Sequence, residues 1–284
     1  MAGIRDYTKQ YPLLIYFFLT VIISWGAIII FAGADGIPAT EDLIMVLGMA
    51  MLLGPSTASM MLTGLVSGLR GYRELLTRLV KWRVGVRWYL IVLFTAPLST
   101  AAVLLVLSIF SSDYAPNIFL SDNKVSLIIT GIIGGISVGL FEELGWTGFA
   151  TPRMRQRYGV VSTGIIIGLI WGAWHFLLFW EGDTFAGILP FALLLARLFS
   201  WLPAYRVLMV WVYDRTESLF VTMLMHVSLV ATLSTIDPVL AGGKLLLFIL
   251  ARASVLWGLV ALLTYCLRRG TRKTPISSQA ELND

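Results

Sequence analysis

Eight apolar stretches dominate the chain, at about 12–33, 43–67, 89–111, 126–151, 161–180, 187–213, 218–236 and 245–267. Each is close to the roughly 20 residues that a helix needs to cross the ~30 Å hydrocarbon layer of a bilayer. The pattern predicts an all-α, polytopic membrane protein with about eight transmembrane helices.

The polar connectors test that division. Lys and Arg collect in alternate connectors: Arg5 and Lys9, then Arg70 to Arg87, then Arg153, Arg155 and Arg157, then Arg215, then Arg268 to Lys273. The intervening connectors hold mainly Asp35, Glu41, Asp42, Asp113, Asp122, Glu181, Asp183 and Asp237, with Lys124 and Lys244 as exceptions. Basic residues stay on the cytoplasmic side, so both termini are expected there. The first run, too long for a signal-peptide core and followed by further spans, reads as a retained helix. Residues 70–88 are short, basic and studded with Leu, Val and Trp, which predicts a segment lying along the inner membrane surface. A single transmembrane domain is expected over 1–267, followed by a polar cytoplasmic tail at 268–284 without fixed structure.

Composition adds two exclusions. Charged residues make up 13% of the chain, about half the soluble norm of roughly 25%, so a soluble domain is not expected. The net charge of +5 sits in the membrane-facing connectors, which argues for a lipid bilayer partner and against nucleic acid. The lone cysteine, Cys266, makes an internal disulfide impossible.

Within the apolar runs four side chains are out of place: Glu142 and Glu143 in the fourth, His175 in the fifth and His226 in the seventh. Charged groups in a bilayer cost on the order of 2.5–3.5 kcal/mol each and mark function by default. A rise of about 1.5 Å per residue puts Glu142 roughly 15 Å, His175 roughly 18 Å and His226 roughly 12 Å from the basic side. One layer can therefore hold them all. The plainer reading makes the histidines helix–helix hydrogen-bonding groups, the glutamates interfacial, Trp171 and Trp174 packing residues, and Arg206 a residue reaching back to the cytoplasmic face.

The segments "EELGWTGFATPRM", "GLIWGAWHFLLF" and "WVYDRTESLFVTMLMHVS" resemble the CAAX-protease and bacteriocin-processing family, also called the Abi family of intramembrane proteases, to which type II CAAX prenyl endopeptidase belongs. The resemblance covers about 139–235, with a family-like core at about 126–236. It implies an intramembrane endopeptidase acting on a peptide or protein substrate, membrane-bound or lipidated, in a prokaryotic cytoplasmic membrane, with a cavity opening toward the cytoplasm. By resemblance Glu142 activates water, His175 helps hold that water, Glu143 orients the site, and His226 faces the oxyanion.

Two positions depart from the family pattern. Thr147 stands where an arginine is usual, so Glu143 is expected to be either protonated or paired elsewhere, with Arg153 or Arg197 as candidates. Val230 stands where an asparagine is expected, and Thr222, one turn before His226, is the candidate substitute donor. No metal is the preferred reading; a zinc ion on Glu142, His175 and His226 is the alternative. The alternatives to an enzyme are a catalytically weak or inactive immunity, scaffold or regulatory protein, and a solute transporter.

Overall fold

The computed structural model describes residues 4–33 and 41–271. In chain order the helices are α1 (Ile4–Gln10), α2 (Pro12–Ala32), α3 (Glu41–Met51), α4 (Leu53–Leu79), α5 (Val86–Leu107), α6 (Asn117–Leu120), α7 (Lys124–Gly145), α8 (Thr151–Met154), α9 (Val160–Trp174), α10 (Phe176–Phe179), α11 (Ile188–Leu195), α12 (Leu202–Thr216), α13 (Leu219–Thr235) and α14 (Gly242–Thr271). Wide π turns, Trp146–Ala150 and Ala196–Ser200, join α7 to α8 and α11 to α12. No strand occurs among the described residues. The fold is all-α and polytopic, and the protein is an integral membrane protein. Residues 272–284, Asp35, and the side chains of Glu41 and Asp42 lie outside the described residues.

Among the described residues six segments are long and apolar enough to cross a bilayer: Pro12–Ala32, Val46–Leu79, Val86–Leu107, Lys124–Met154, Ile188–Thr216 and Gly242–Arg269. The two histidine-bearing segments are shorter. Val160–Trp174 has 15 residues and Leu219–Thr235 has 17, about 22 and 26 Å of helix.

Exposed apolar side chains identify the lipid face. On α7, Ile128, Ile129, Ile132, Ile133 and Ile136 point outward, while Gly131, Gly135 and Gly139 on the opposite side are buried. That glycine ladder lets α13 approach backbone to backbone: a Cβ on Gly135 would lie 2.8 Å from the Val227 carbonyl oxygen. A second ladder, Gly164, Gly168 and Gly172 on α9, receives α12 and the turn before it, and a Cβ on Gly168 would lie 2.5 Å from Pro203 Cα. Helices in lipid gain little from hydrophobic exclusion, so close contact between small residues carries their pairing. Tyr205 Oη, which donates to the Met225 carbonyl at 2.9 Å, ties α12 to α13.

The basic segment after the second crossing folds back. Gly68 breaks α4 with φ 59° and ψ −149°, and Tyr72 Oη donates to the Met60 carbonyl at 2.8 Å. Twelve residues of straight helix would separate those positions by about 18 Å, so the chain turns at Gly68. Past the turn Leu69, Leu76, Val80 and Trp82 are exposed beside Arg70 and Arg73. This is the composition of an interfacial segment. Leu75, with the half-buried Leu79 beside it, turns inward and packs with Leu219 and Met223 over Gly148.

Candidate functional site

The two ladders bring α7, α9, α12 and α13 together where their polar residues lie. Trp171 is at the centre. Its Nε1 donates to Glu142 Oε2 at 2.6 Å, and its carbonyl oxygen lies 2.8 Å from His175 Nδ1. Its ring centroid is 5.5 Å from His175 and 5.4 Å from His226, edge-on to both. The guanidinium of Arg206 covers its face at 4.3 Å.

Glu143 is fully buried, and both its oxygens are occupied. Oε1 meets His226 Nδ1 at 2.8 Å; Oε2 accepts from Arg206 Nη1 at 2.8 Å and from the Thr147 hydroxyl. Positions four apart on a helix share a face, and the Thr147 bond follows from that spacing. The π turn that starts at Trp146 adds one residue to the helix there, a distortion frequent at functional sites. Trp146 and Phe149 in that turn pack on Tyr16 of α2. The Thr151 hydroxyl spans the turn to the Trp146 carbonyl at 2.7 Å.

Arg206 overturns two readings. It does not reach back to the membrane face; it is fully buried and ion-paired with Glu143. Neither candidate partner of Glu143 pairs with it. Arg153 donates to the Phe149 carbonyl and lies 3.7 Å over the Phe149 ring, and Arg197 is paired with Glu181. The missed signal is depth: Arg206 is ten residues before Thr216, the end of α12, hence about 15 Å in, level with Glu142.

A cavity of about 290 Å³ is lined by Glu142, Trp171, Trp174, His175, His226 and Val230, with Met49, Leu202 and other apolar residues closing it. Glu143 does not line it. Glu142 and both histidines each commit one side-chain atom to a protein partner. Glu142 Oε1, His175 Nε2 and His226 Nε2 are left for a guest. A backbone carbonyl only accepts, so His175 Nδ1 carries the proton and its Nε2 offers a lone pair. Trp174 packs 4.8 Å from the His175 ring, and its carbonyl accepts from Trp25 Nε1.

The expected opening toward the basic side is corrected. From Glu142 the lining extends to Phe179 and Leu233, near the acidic connectors carrying Glu181 and Asp237. On the basic side Leu75, Leu219 and Met223 pack together. A larger basin of about 1350 Å³ at the basic face is lined by Arg73, Arg78, Arg153 and Arg157 among others, and by none of the four site residues.

Two supporting residues fall differently. Val230 lines the cavity and offers it no hydrogen bond. Thr222 does not line it, and its hydroxyl donates to the Ser218 carbonyl at 3.0 Å, so its one proton is already used. Among the described residues no group of three or more His, Cys, Asp or Glu is arranged to hold a metal.

Residues 124–232 match the family model described as type II CAAX prenyl endopeptidase Rce1-like. A stretch of 76 residues is 30% identical to CAAX prenyl protease 2 of Methanococcus maripaludis, covering 27% of this chain and 23% of that protein. Over the matched residues the chain is similar to the CAAX prenyl endopeptidases, the likeness that the sequence motifs suggested. The matched model begins at Lys124, the first residue of α7, and ends inside α13, so it takes in every residue of the polar cluster. The chain spans about a quarter of the length of the curated relative it matches.

Proposed function

We propose that the protein is an intramembrane endopeptidase that hydrolyses a peptide bond with water activated by Glu142. The observation that supports this reading is the opening of Glu142, His175 and His226 onto one apolar cavity around Trp171. Glu142 Oε1 takes a proton from water as the oxygen attacks the carbonyl carbon. His175 Nε2 accepts a hydrogen bond from the other O–H of the water, which stays on the attacking oxygen, and so aims the lone pair. The carbonyl π electrons move onto oxygen, and a protonated His226 Nε2 faces the resulting oxyanion, its charge balanced by Glu143 behind it. Glu142 then passes its proton to the amide nitrogen, the C–N bond breaks, and an amine and a carboxylic acid leave. Fixed donors count for more in a water-poor site.

The Methanococcus maripaludis relative is named a CAAX prenyl protease, which supports peptide-bond hydrolysis as the reaction. An apolar side chain or segment of a membrane-associated protein suits the cavity lining, in the cytoplasmic membrane of a prokaryote with both termini inside. No step is routed through a metal. The test is cleavage of membrane-protein peptides by the purified protein with metal analysis alongside. The expected result is loss of cleavage in Glu142→Gln. Unchanged cleavage in that variant refutes the general base, and stoichiometric zinc lost in both His175→Ala and His226→Ala refutes the metal-free route.

A second reading is favoured by Val230. With an apolar side chain there and Thr222 engaged elsewhere, the oxyanion has one donor fewer, which costs about 10²–10³ in turnover. A weak or inactive member acting as an immunity, scaffold or regulatory protein is then the alternative. It is supported if biological activity survives Glu142→Gln.

A further inference from the structure

Glu143 does not line the cavity, yet three side chains from a turn and two helices meet its oxygens: Thr147 on the turn after α7, Arg206 on α12 and His226 on α13. Arg206 and Thr147 meet on the same oxygen. The tip of Arg206 and the side chain at 147 are therefore neighbours in space. A guanidinium is always charged, so Glu143 beside it is a carboxylate, and a carboxylate can only accept. His226 must then donate from Nδ1. That choice leaves Nε2 as the ring atom turned to the cavity.

We propose that Arg206 is the positioning residue of this site: its charge fixes Glu143 as an acceptor, and Glu143 fixes the proton and ring orientation of His226. Arg206 supplies from α12 the charge that an arginine at position 147 would supply from the turn after α7. Only Nη1 bonds Glu143, while Nε and Nη2 have no protein partner. A lysine reaching the same oxygen would thus keep the essential contact. Without the charge, Glu143 is free to hold a proton and donate it in a hydrogen bond to a bare His226 Nδ1, which leaves a neutral ring protonated only on Nε2 and removes the positive charge that faces the oxyanion. This deepens the hydrolytic reading, but its first readout needs no substrate.

The chain has two histidines, so ¹⁵N-histidine labelling in lipid nanodiscs gives two rings, assigned with His175→Gln. In the parent both Nδ1 atoms should be protonated. In Arg206→Met the His226 pattern should shift toward a bare Nδ1 while His175, bonded to the Trp171 carbonyl, stays put. Arg206→Lys, and Thr147→Arg combined with Arg206→Met, should both keep the His226 Nδ1 proton. Peptide cleavage should fall about 10²–10⁴-fold in Arg206→Met, the range seen when an imidazole loses its orienting partner, and recover at least about tenfold in the other two. A bare His226 Nδ1 in the parent overturns the proposal, whatever the variants do. So does an unchanged His226 in folded Arg206→Met. Where Arg206→Met does not fold, loss of the Nδ1 proton in Arg206→Lys or in the double variant is the overturning result. If the Nδ1 protonation patterns behave as expected but no form cleaves any peptide, Arg206 keeps its role and the hydrolytic reading falls.

Discussion

Trp171 and Trp174 provide an internally controlled test of the site's construction. Both indoles are buried, at 2% and 1% exposure, both line the cavity, and both pack edge-on to His175. They differ in their polar contacts. Trp171 Nε1 donates to Glu142 at 2.6 Å, whereas Trp174 Nε1 has no partner. Replacing either with Phe removes similar volume, so the packing losses largely cancel in the comparison. A hydrogen bond to a charged group contributes about 1.5–3 kcal/mol, while membrane-protein hydrogen bonds average ~0.6 with a maximum near 1.7 kcal/mol. Weakening the cation–π contact with Arg206 adds about 0.5–1 kcal/mol. Trp171→Phe should therefore destabilise the protein by about 1–3 kcal/mol more than Trp174→Phe. Unfolding by SDS titration in mixed micelles measures both. Equal losses, or a larger loss for Trp174→Phe, would refute the placement of the Trp171–Glu142 bond at the centre of the site.

Packing and charge give two further outcomes. Gly135→Val should loosen α7 from α13 and cost about 1–3 kcal/mol, the usual price of overpacking. Gly134→Ala, where a Cβ meets nothing within 4 Å, should be neutral or slightly stabilising by the same assay. A large loss in Gly134→Ala would mean that α7 is rotated from the face described. Arg206→Met alone strands a buried carboxylate and should cost about 3–5 kcal/mol, whereas Glu143→Met with Arg206→Met should recover most of that loss. A double variant less stable than the single one contradicts a direct pairing.

Much of the architecture was legible because bilayer thickness sets a length. All eight apolar stretches are helical, and the predicted crossing at 43–67 ends where Gly68 turns the chain. The layer holding Glu142, His175 and His226 followed from counting residues along helices. Arg206 was misread because a long basic side chain near a helix end has two destinations, the interface and the interior, and sequence distance from that end separates them only by a turn or so. The partner choice depended on α12 packing against α9, and that was encoded elsewhere, in the four-residue spacing of Gly164, Gly168 and Gly172. The direction of the cavity was illegible for a related reason. It depends on Leu75 turning inward from a basic segment, which only the fold-back at Gly68 allows.

The buried charges themselves bear on function. Two glutamates and an arginine within one apolar bundle are costly, and well-packed apolar residues in place of a buried ion pair are often neutral or stabilising by about 1–4 kcal/mol. Packing alone would not favour Arg206 between Trp171 and Glu143. The arrangement also separates two tasks between adjacent carboxylates: Glu143 saturates itself with donors and faces no cavity, while Glu142 keeps one oxygen open to it. A scaffold would gain nothing from keeping that second oxygen free beside two imidazoles. A hydrolase requires it, because a carboxylate satisfied by fixed donors has no lone pair left for water. The unequal hydrogen bonding of Glu142 and Glu143 therefore weighs for chemistry over binding alone, even with Val230 in the wall.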